Sequence, residues 1–224
     1  MGDIMKKGFT LAEVLITLGI VGVIAAITIP SLITEYKAMV LETQFKKAYS
    51  IISHAYKMAQ ADDETYLTRN SSLYPKLPSP NVFKKYFKNV KEVITKQVNC
   101  QNKLRNLGYK DLSGQNPNSQ FLWFVDDGYM MLEDGTVFFW ENANNNTQSY
   151  LSVDINGYQK GPNKWGQDLF TFALSYDGFI GVWKSSGYQC QLKKNTTYNG
   201  LGCSYWALND KNYFRKLLKN QPVK

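Results

Sequence analysis

The chain's 224 residues carry a formal net charge of +8 and are 44% apolar, a globular composition long enough for one domain or two small ones. Twelve Phe, fifteen Tyr and five Trp suit a sheet packed with large side chains and a surface that touches partners. A single histidine, His54, and three cysteines without a CxxC pair argue against a zinc site of the usual kind.

The first element is Lys6-Lys7-Gly8-Phe9-Thr10-Leu11-Ala12-Glu13, followed by twenty residues without a charge, Val14 to Ile33. As a helix that run spans about 30 Å, the thickness of a hydrocarbon core. A secretory signal peptide, with Ala25-Ala26 near its cleavage site, is one reading. The run is long for that purpose, helical phase continues past Tyr36, and Glu13 puts a charge where such a peptide has none. A plain anchor explains the length but not Glu13, because an acid at the apolar end of a membrane helix costs free energy and asks for a partner. Lys6 and Lys7 ahead of the span place the N-terminus in the cytoplasm and the large C-terminal part outside.

Lys6-Lys7-Gly8 followed by Phe9-Thr10-Leu11-Ala12-Glu13 resembles the processing motif of type IV prepilins and type II secretion pseudopilins. The resemblance implies cleavage after Gly8 by a prepilin peptidase, which also acts as the methyltransferase of the new first residue, Phe9. It implies that Glu13 is an assembly residue, pairing with the N-terminal ammonium of a neighbouring subunit. An unpaired carboxylate in apolar surroundings is penalised, and a charge pair there is strongly attractive. Pro30 falls where the family often has a helix-distorting proline. The implied partners are that peptidase, other pilin or pseudopilin subunits and the bacterial inner membrane. The implied destination is a periplasmic or cell-surface filament.

Beyond Ile33 the pattern turns amphipathic. Leu41, Phe45, Ala48, Ile52, Ala55 and Ala59 recur at spacings of 4, 3, 4, 3 and 4, with Lys46, Lys47, Ser50, His54 and Lys57 opposite. One helix is expected from Phe9 to about Gln60, bent or loosened near Pro30. The implied organisation is a leader 1–8, a membrane or filament-core half 9–33, an amphipathic half 34–60 and a globular domain 61–224. His54, on the polar face, reads as a solvent-exposed side chain.

Asp62 to Pro80 reads as a loop with three prolines, and Ser79-Pro80 as the start of a second helix running to about Gln97. Lys84, Lys85, Lys88 and Lys91 form its basic face, solvated or in contact with anionic lipid or nucleic acid. Strands are expected at Phe121 to Val125, Tyr129 to Leu132, Thr136 to Trp140, Tyr150 to Ile155, Leu169 to Ser175 and Phe179 to Trp183. Hairpin turns fall at Glu133-Asp134-Gly135 and Tyr176-Asp177-Gly178. Ser204 to Leu218 reads as a terminal helix broken around Asn209-Asp210. The fold class that follows is α+β: a long N-terminal helix packed on an antiparallel sheet, pilin-like in layout.

Two constellations remain. Asp154, Asn156 and Asp168, with Gly157 at a sharp turn, offer oxygen ligands for calcium, though position twelve from Asp154 is Trp165 and the loop is no EF-hand. Calcium loops in this part of the chain occur among major pseudopilins, so the resemblance points the same way. The alternative is a loop in which Asp and Asn bond to local backbone. Cys190 and Cys203 would most simply pair in an exported domain, leaving Cys100 over, although exchange of partners stays open. No catalytic set stands out. No histidine accompanies the sheet, no phosphate loop is present, and Asp126-Asp127 reads as turn chemistry. The function expected is that of a structural pilin or pseudopilin subunit. A minor pilin that binds DNA or another ligand is the rival from the binding class, and a membrane-anchored hydrolase the rival from the enzyme class.

Overall fold

The computed structural model describes residues 8–62, 77, 79–95, 107–117, 122–141, 149–182, 188–193 and 196–223. It begins with a helix of 52 residues, α1 (Leu11–Asp62), that runs through Pro30 without interruption. Every apolar side chain up to Ile33 leaves one face or another bare: Leu18 is 63% exposed and Ile27 72%. From Ala38 onward the amphipathic stripe takes over, and Phe45, Ala48, Ile52, Ala55, Tyr56 and Ala59 are buried.

That stripe lies on one face of a six-stranded antiparallel sheet. The strands are β1 (Val90–Ile94), β2 (Tyr129–Leu132), β3 (Val137–Glu141), β4 (Tyr150–Asp154), β5 (Leu169–Ser175) and β6 (Gly178–Gly181). They neighbour one another in chain order, a plain meander. Because side chains alternate along a strand, Met130, Leu132, Phe138, Trp140, Leu151, Val153, Phe170 and Phe172 face the helix. Tyr129, Met131, Val137, Phe139 and Leu169 face away. Phe45 is the centre of the first interface, its ring 4.7 Å from Phe170, 5.8 Å from Phe172 and 5.7 Å from Phe214. The hydroxyls of Tyr49 and Tyr56 donate to the carbonyls of Phe179 and Ser175, and the Gln60 amide to that of Tyr176. These bonds tie α1 to the β5–β6 end of the sheet and satisfy polar groups that the packing would otherwise strand.

The far face is covered by connecting segments. Tyr109, Phe124, Val125, Trp165 and Leu201 pack on it. Within it the Trp165 indole, which can only donate, bonds to Thr171 Oγ1 at 3.1 Å. Thr171 then donates to Ser152 Oγ at 2.7 Å, and Ser152 to the Phe124 carbonyl at 2.9 Å. Two short helices, α3 (Cys203–Asn209) and α4 (Tyr213–Leu218), close the chain against α1 and the β5–β6 edge. A two-stranded parallel pair, β7 (Tyr188–Gln189) and β8 (Tyr198–Asn199), precedes them.

The expected α+β architecture is therefore the one found, and the sheet is antiparallel throughout. Two expectations are corrected. The second helix does not reach Gln97: α2 (Pro80–Phe83) passes into a single 3₁₀ turn, Lys84–Tyr86, and the chain then enters β1. Phe87, extended at φ −107° and ψ 143°, ends the helical geometry, Asn89 turns the chain at φ 56°, and the β-branched Val90, Val93 and Ile94 pair with β2 across a bulge. Nor is there a strand over the described residues of Phe121 to Val125. Trp123–Val125 is a 3₁₀ turn that packs Phe124 and Val125 onto the far face. Phe121, Cys100, Gln97 and Trp183 lie outside the described residues.

Candidate processing and assembly site

The N-terminal motif is organised by a hydrogen-bonded cap. Helix α1 starts at Leu11, which makes Thr10 the N-cap and Glu13 the third helical residue. The Glu13 carboxylate accepts from the Thr10 backbone N–H at 2.8 Å and from its hydroxyl at 3.0 Å. The Glu13 N–H in turn bonds to Thr10 Oγ1 at 3.3 Å. This is a capping box, and it satisfies donors that the first turn leaves open. Its sequence signal is Thr10-x-x-Glu13 ahead of an apolar run, which sequence reasoning passed over in favour of the charge alone. Glu13 in the single chain thus has local partners at Oε2, on a side chain that is itself exposed.

Gly8 and Phe9 precede the helix and have no regular structure, and Phe9 is 89% exposed. The Gly8–Phe9 peptide bond is therefore outside the helix's hydrogen-bonded ladder. Nothing lies within 4 Å of where a Gly8 side chain would stand, so the glycine is not required by packing in this chain. The bond lies directly ahead of a helix that is apolar on all sides over Val14 to Ile33, and that is long and apolar enough to cross a membrane.

Asp154, Asn156 and Asp168 come together in the loops joining β4 to β5. Asp154 is fully buried. Its Oδ1 accepts from the Asn156 and Gly157 N–H groups at 3.2 and 2.7 Å, and its Oδ2 from the Tyr109 hydroxyl at 2.6 Å. Asp168, also fully buried, accepts from the Asn163 and Lys164 N–H groups at 2.8 and 2.5 Å. Burial pushes the Asp154 carboxyl up to about 7, with the nearby Asp168 charge adding to it against the pull of the Tyr109 bond. Burial likewise raises Asp168, opposed by its two amide donors. Gly157 has φ 84°, and a side chain there would meet the Gly135 carbonyl at 2.4 Å, so the loop closes on the β2–β3 turn only with glycine. The amide oxygens of Asn156 and Asn163 are buried without a partner.

Cys190 and Cys203 form a disulfide with Cα atoms 4.9 Å apart. It fastens the segment after β7 to the start of α3. Gly166 sits against it at φ 80°, where a side chain would strike Cys203 Sγ at 2.6 Å. A further cluster went unseen in the sequence. Asp126, Asp127 and Glu141 bring carboxylate oxygens within 4.8 Å of one another at the end of β3. Burial, then Asp127 and Asp126, push Glu141 up to about 8. Asp127 and Glu141 are fourteen positions apart, and only the β2–β3 hairpin joins them.

A family model described as the prokaryotic N-terminal methylation motif matches residues 5–29. The chain thus carries the prepilin-type signature, on a helix whose exposure and length fit membrane anchoring. Neither a curated protein nor a solved structure matches the chain.

Proposed function

We propose that the chain is a structural subunit of a type IV pilus or type II secretion pseudopilus. In this reading a prepilin peptidase cuts after Gly8 and methylates Phe9. The helix from Phe9 to Ile33 holds the subunit in the inner membrane, N-terminus in the cytoplasm, until assembly. The same helix then packs against its neighbours in the filament core, with the sheet domain outside. The observation that carries it is the methylation-motif match over a helix that is uncharged from Val14 to Ile33 with its large apolar side chains bare, then buried along one stripe on its own domain. A helix of that kind is at rest in lipid or among copies of itself, and not in water.

In the assembled state the exposed Glu13 side chain would take the Phe9 ammonium of a neighbour, while Thr10 keeps Oε2. The test is mass spectrometry of the membrane-bound chain. A mature protein beginning at methylated Phe9 is expected, and an N-terminus near Ala26 would overturn the reading in favour of a secretory signal. Glu13→Ala should also leave membrane insertion intact while incorporation into filaments falls.

A second proposal concerns the β4–β5 loops. Asp154, Asp168 and the unpartnered oxygens of Asn156 and Asn163 form an all-oxygen donor set, which suits calcium. Bound there, a divalent cation would offset two buried carboxyls and fill two empty acceptors. Calcium should then raise the domain's melting temperature, and Asp168→Asn should abolish the rise. A melting temperature that ignores calcium would leave the loop held by its backbone bonds alone.

A further inference from the structure

We propose that the end of the globular domain nearest the apolar half of α1 is a docking surface for anionic lipid headgroups. It would press the domain onto the bilayer in which α1 sits. This rests on the membrane-spanning reading above.

The argument starts from where α4 lies. Its first turn packs Phe214 on Phe45, while Arg215 and Lys219 reach Glu35, at 2.5 and 2.7 Å. The two residues it meets on α1, Phe45 and Glu35, lie ten residues or about 15 Å of helix axis apart, so α4 and the long side chains of Arg215 and Lys219 together reach down α1 towards the apolar half. Glu35 stands two residues beyond Ile33, about 3 Å along the axis from the end of the uncharged run. If that run fills the hydrocarbon, Arg215 and Lys219 stand at headgroup level.

Other side chains at this level point the same way. Lys37 is exposed on α1 itself. Lys193, exposed on the segment after β7, lines a shallow cavity with Asn220, Pro222 and Val223, just past the end of α4. Arg215 and Lys219 share one carboxylate, Glu35, and Lys37 and Lys193 add two exposed cations to this end of the described domain. The next acid along α4, Asp210, belongs to its far end and is taken by Lys216 at 2.7 Å. Tyr36, 66% exposed, is placed as an interfacial aromatic would be. A cation surplus beside an apolar span is the pattern that binds acidic lipid, at about 1 kcal/mol or roughly fivefold per Lys or Arg near the surface. A nucleic-acid duplex is the poorer occupant, because the bare apolar helix leaves the same end of the domain and its bilayer would stand in the way.

The test uses the full chain in vesicles of phosphatidylcholine alone, or with about a third of the lipid replaced by phosphatidylglycerol. Amine acetylation is followed residue by residue by mass spectrometry. Lys57, exposed and 22 residues beyond Glu35, about 33 Å up the helix, is the internal control. Acetylation of Lys37, Lys193 and Lys219 relative to Lys57 should fall several-fold in the anionic vesicles and recover at high salt. In a K37E/K193E variant, which leaves both Glu35 pairs in place, the fall at Lys219 should vanish. Equal ratios in the two lipids, or protection of Lys219 that survives both salt and the double variant, would overturn the proposal. Protection in neutral vesicles by added duplex DNA, without any effect of anionic lipid, would reassign the surface to nucleic acid. Retention on neutral vesicles through an alkaline wash separates the two readings. A chain that washes off overturns the membrane span and the docking surface together, whereas a retained chain whose ratios ignore lipid charge overturns the docking surface only.

Discussion

The two halves of α1 are one uninterrupted helix with opposite fates. Between Leu11 and Ile33 side chains such as Leu18 and Ile27 stand 63% and 72% exposed, while Phe45 and Ile52 in the second half are 1% and 0% exposed. Helix propensity does not separate them. The second half has a polar face, so one orientation on the sheet satisfies it. The first half has no polar face after Glu13, so no orientation on a single domain could. Its partner must surround it, as lipid does or as several copies of the same helix do. One half is folded by its own chain and the other by its surroundings.

The strongest way to break that comparison is a pair of truncations read on the unfolding of the detergent-solubilised chain. Phe45→Ala removes a ring packed on Phe170, Phe172 and Phe214, and should cost about 3–5 kcal/mol. Ile24→Ala deletes comparable apolar volume from a 56% exposed site and should change domain stability by no more than about 0.5 kcal/mol. A similar cost at the two sites would mean that the bare half is packed on something within the chain after all.

Acidity should separate the halves next, since the sheet domain holds acids that the fold keeps from ionising. Burial, with Asp127 and Asp126 close by, raises Glu141 from its ordinary 4.5 to about 8. The folded state therefore holds this proton more tightly than the unfolded one. Stability from this group is greatest below about pH 4.5 and declines as pH rises towards about 8. Asp154, raised to about 7, acts with the same sign. Asp134 has the opposite sign, because Lys47 holds it below the usual range despite partial burial, and its contribution is lost only in more acidic solution. Melting temperature should thus fall between about pH 5 and pH 8, and Glu141→Gln should flatten part of the slope, about 1–2 kcal/mol after discounting for its partial exposure. An unchanged slope in the variant would show that Glu141 does not hold its proton more tightly in the folded domain than in the unfolded chain.

What could be read beforehand follows the same division. Periodicity located α1, because Leu41 to Ala59 repeats at helical spacing over five turns. It located the β2–β3 and β5–β6 hairpins, because Gly135 and Gly178 mark turns that need positive φ, 93° and 122°. It failed from Phe87 to Ile94, where Phe87, Val90, Val93 and Ile94 fit a helix by spacing and a bulged strand by side-chain type. Pairing with β2 decided for the strand, and pairing is non-local. Asp126, Asp127 and Glu141 were illegible for a related reason: their meeting depends on hairpin register. The Asp154 loop was legible as a set of residues but not as a set of bonds, since Tyr109, 45 positions earlier, supplies one of them. At the N-terminus the motif itself was plain, while the cap between Thr10 and Glu13 needed the helix start at Leu11 to be known.

The smallest effect belongs to the boundary between the halves. Glu35 is the last acid before the apolar half and accepts from both Arg215 and Lys219. Those bonds, ahead of the weaker charge attraction, hold its carboxyl below the usual range. All three side chains are partly exposed, so the pairs are screened by water and salt. Glu35→Gln should therefore lower the melting temperature only slightly at low ionic strength, with the difference vanishing at about 1 M salt, where the screening length is about 3 Å. Amide exchange in α4 should quicken before that in α1 or the sheet, because α4 keeps Phe214 and Leu217 in the core and loses only its tie at the foot. A fall as large as that of Phe45→Ala would make this end of the domain part of its core and move the boundary between the two halves towards Ile33. A small, salt-sensitive fall would place it near Glu35, where the buried stripe has yet to begin at Ala38 and the uncharged run has already ended.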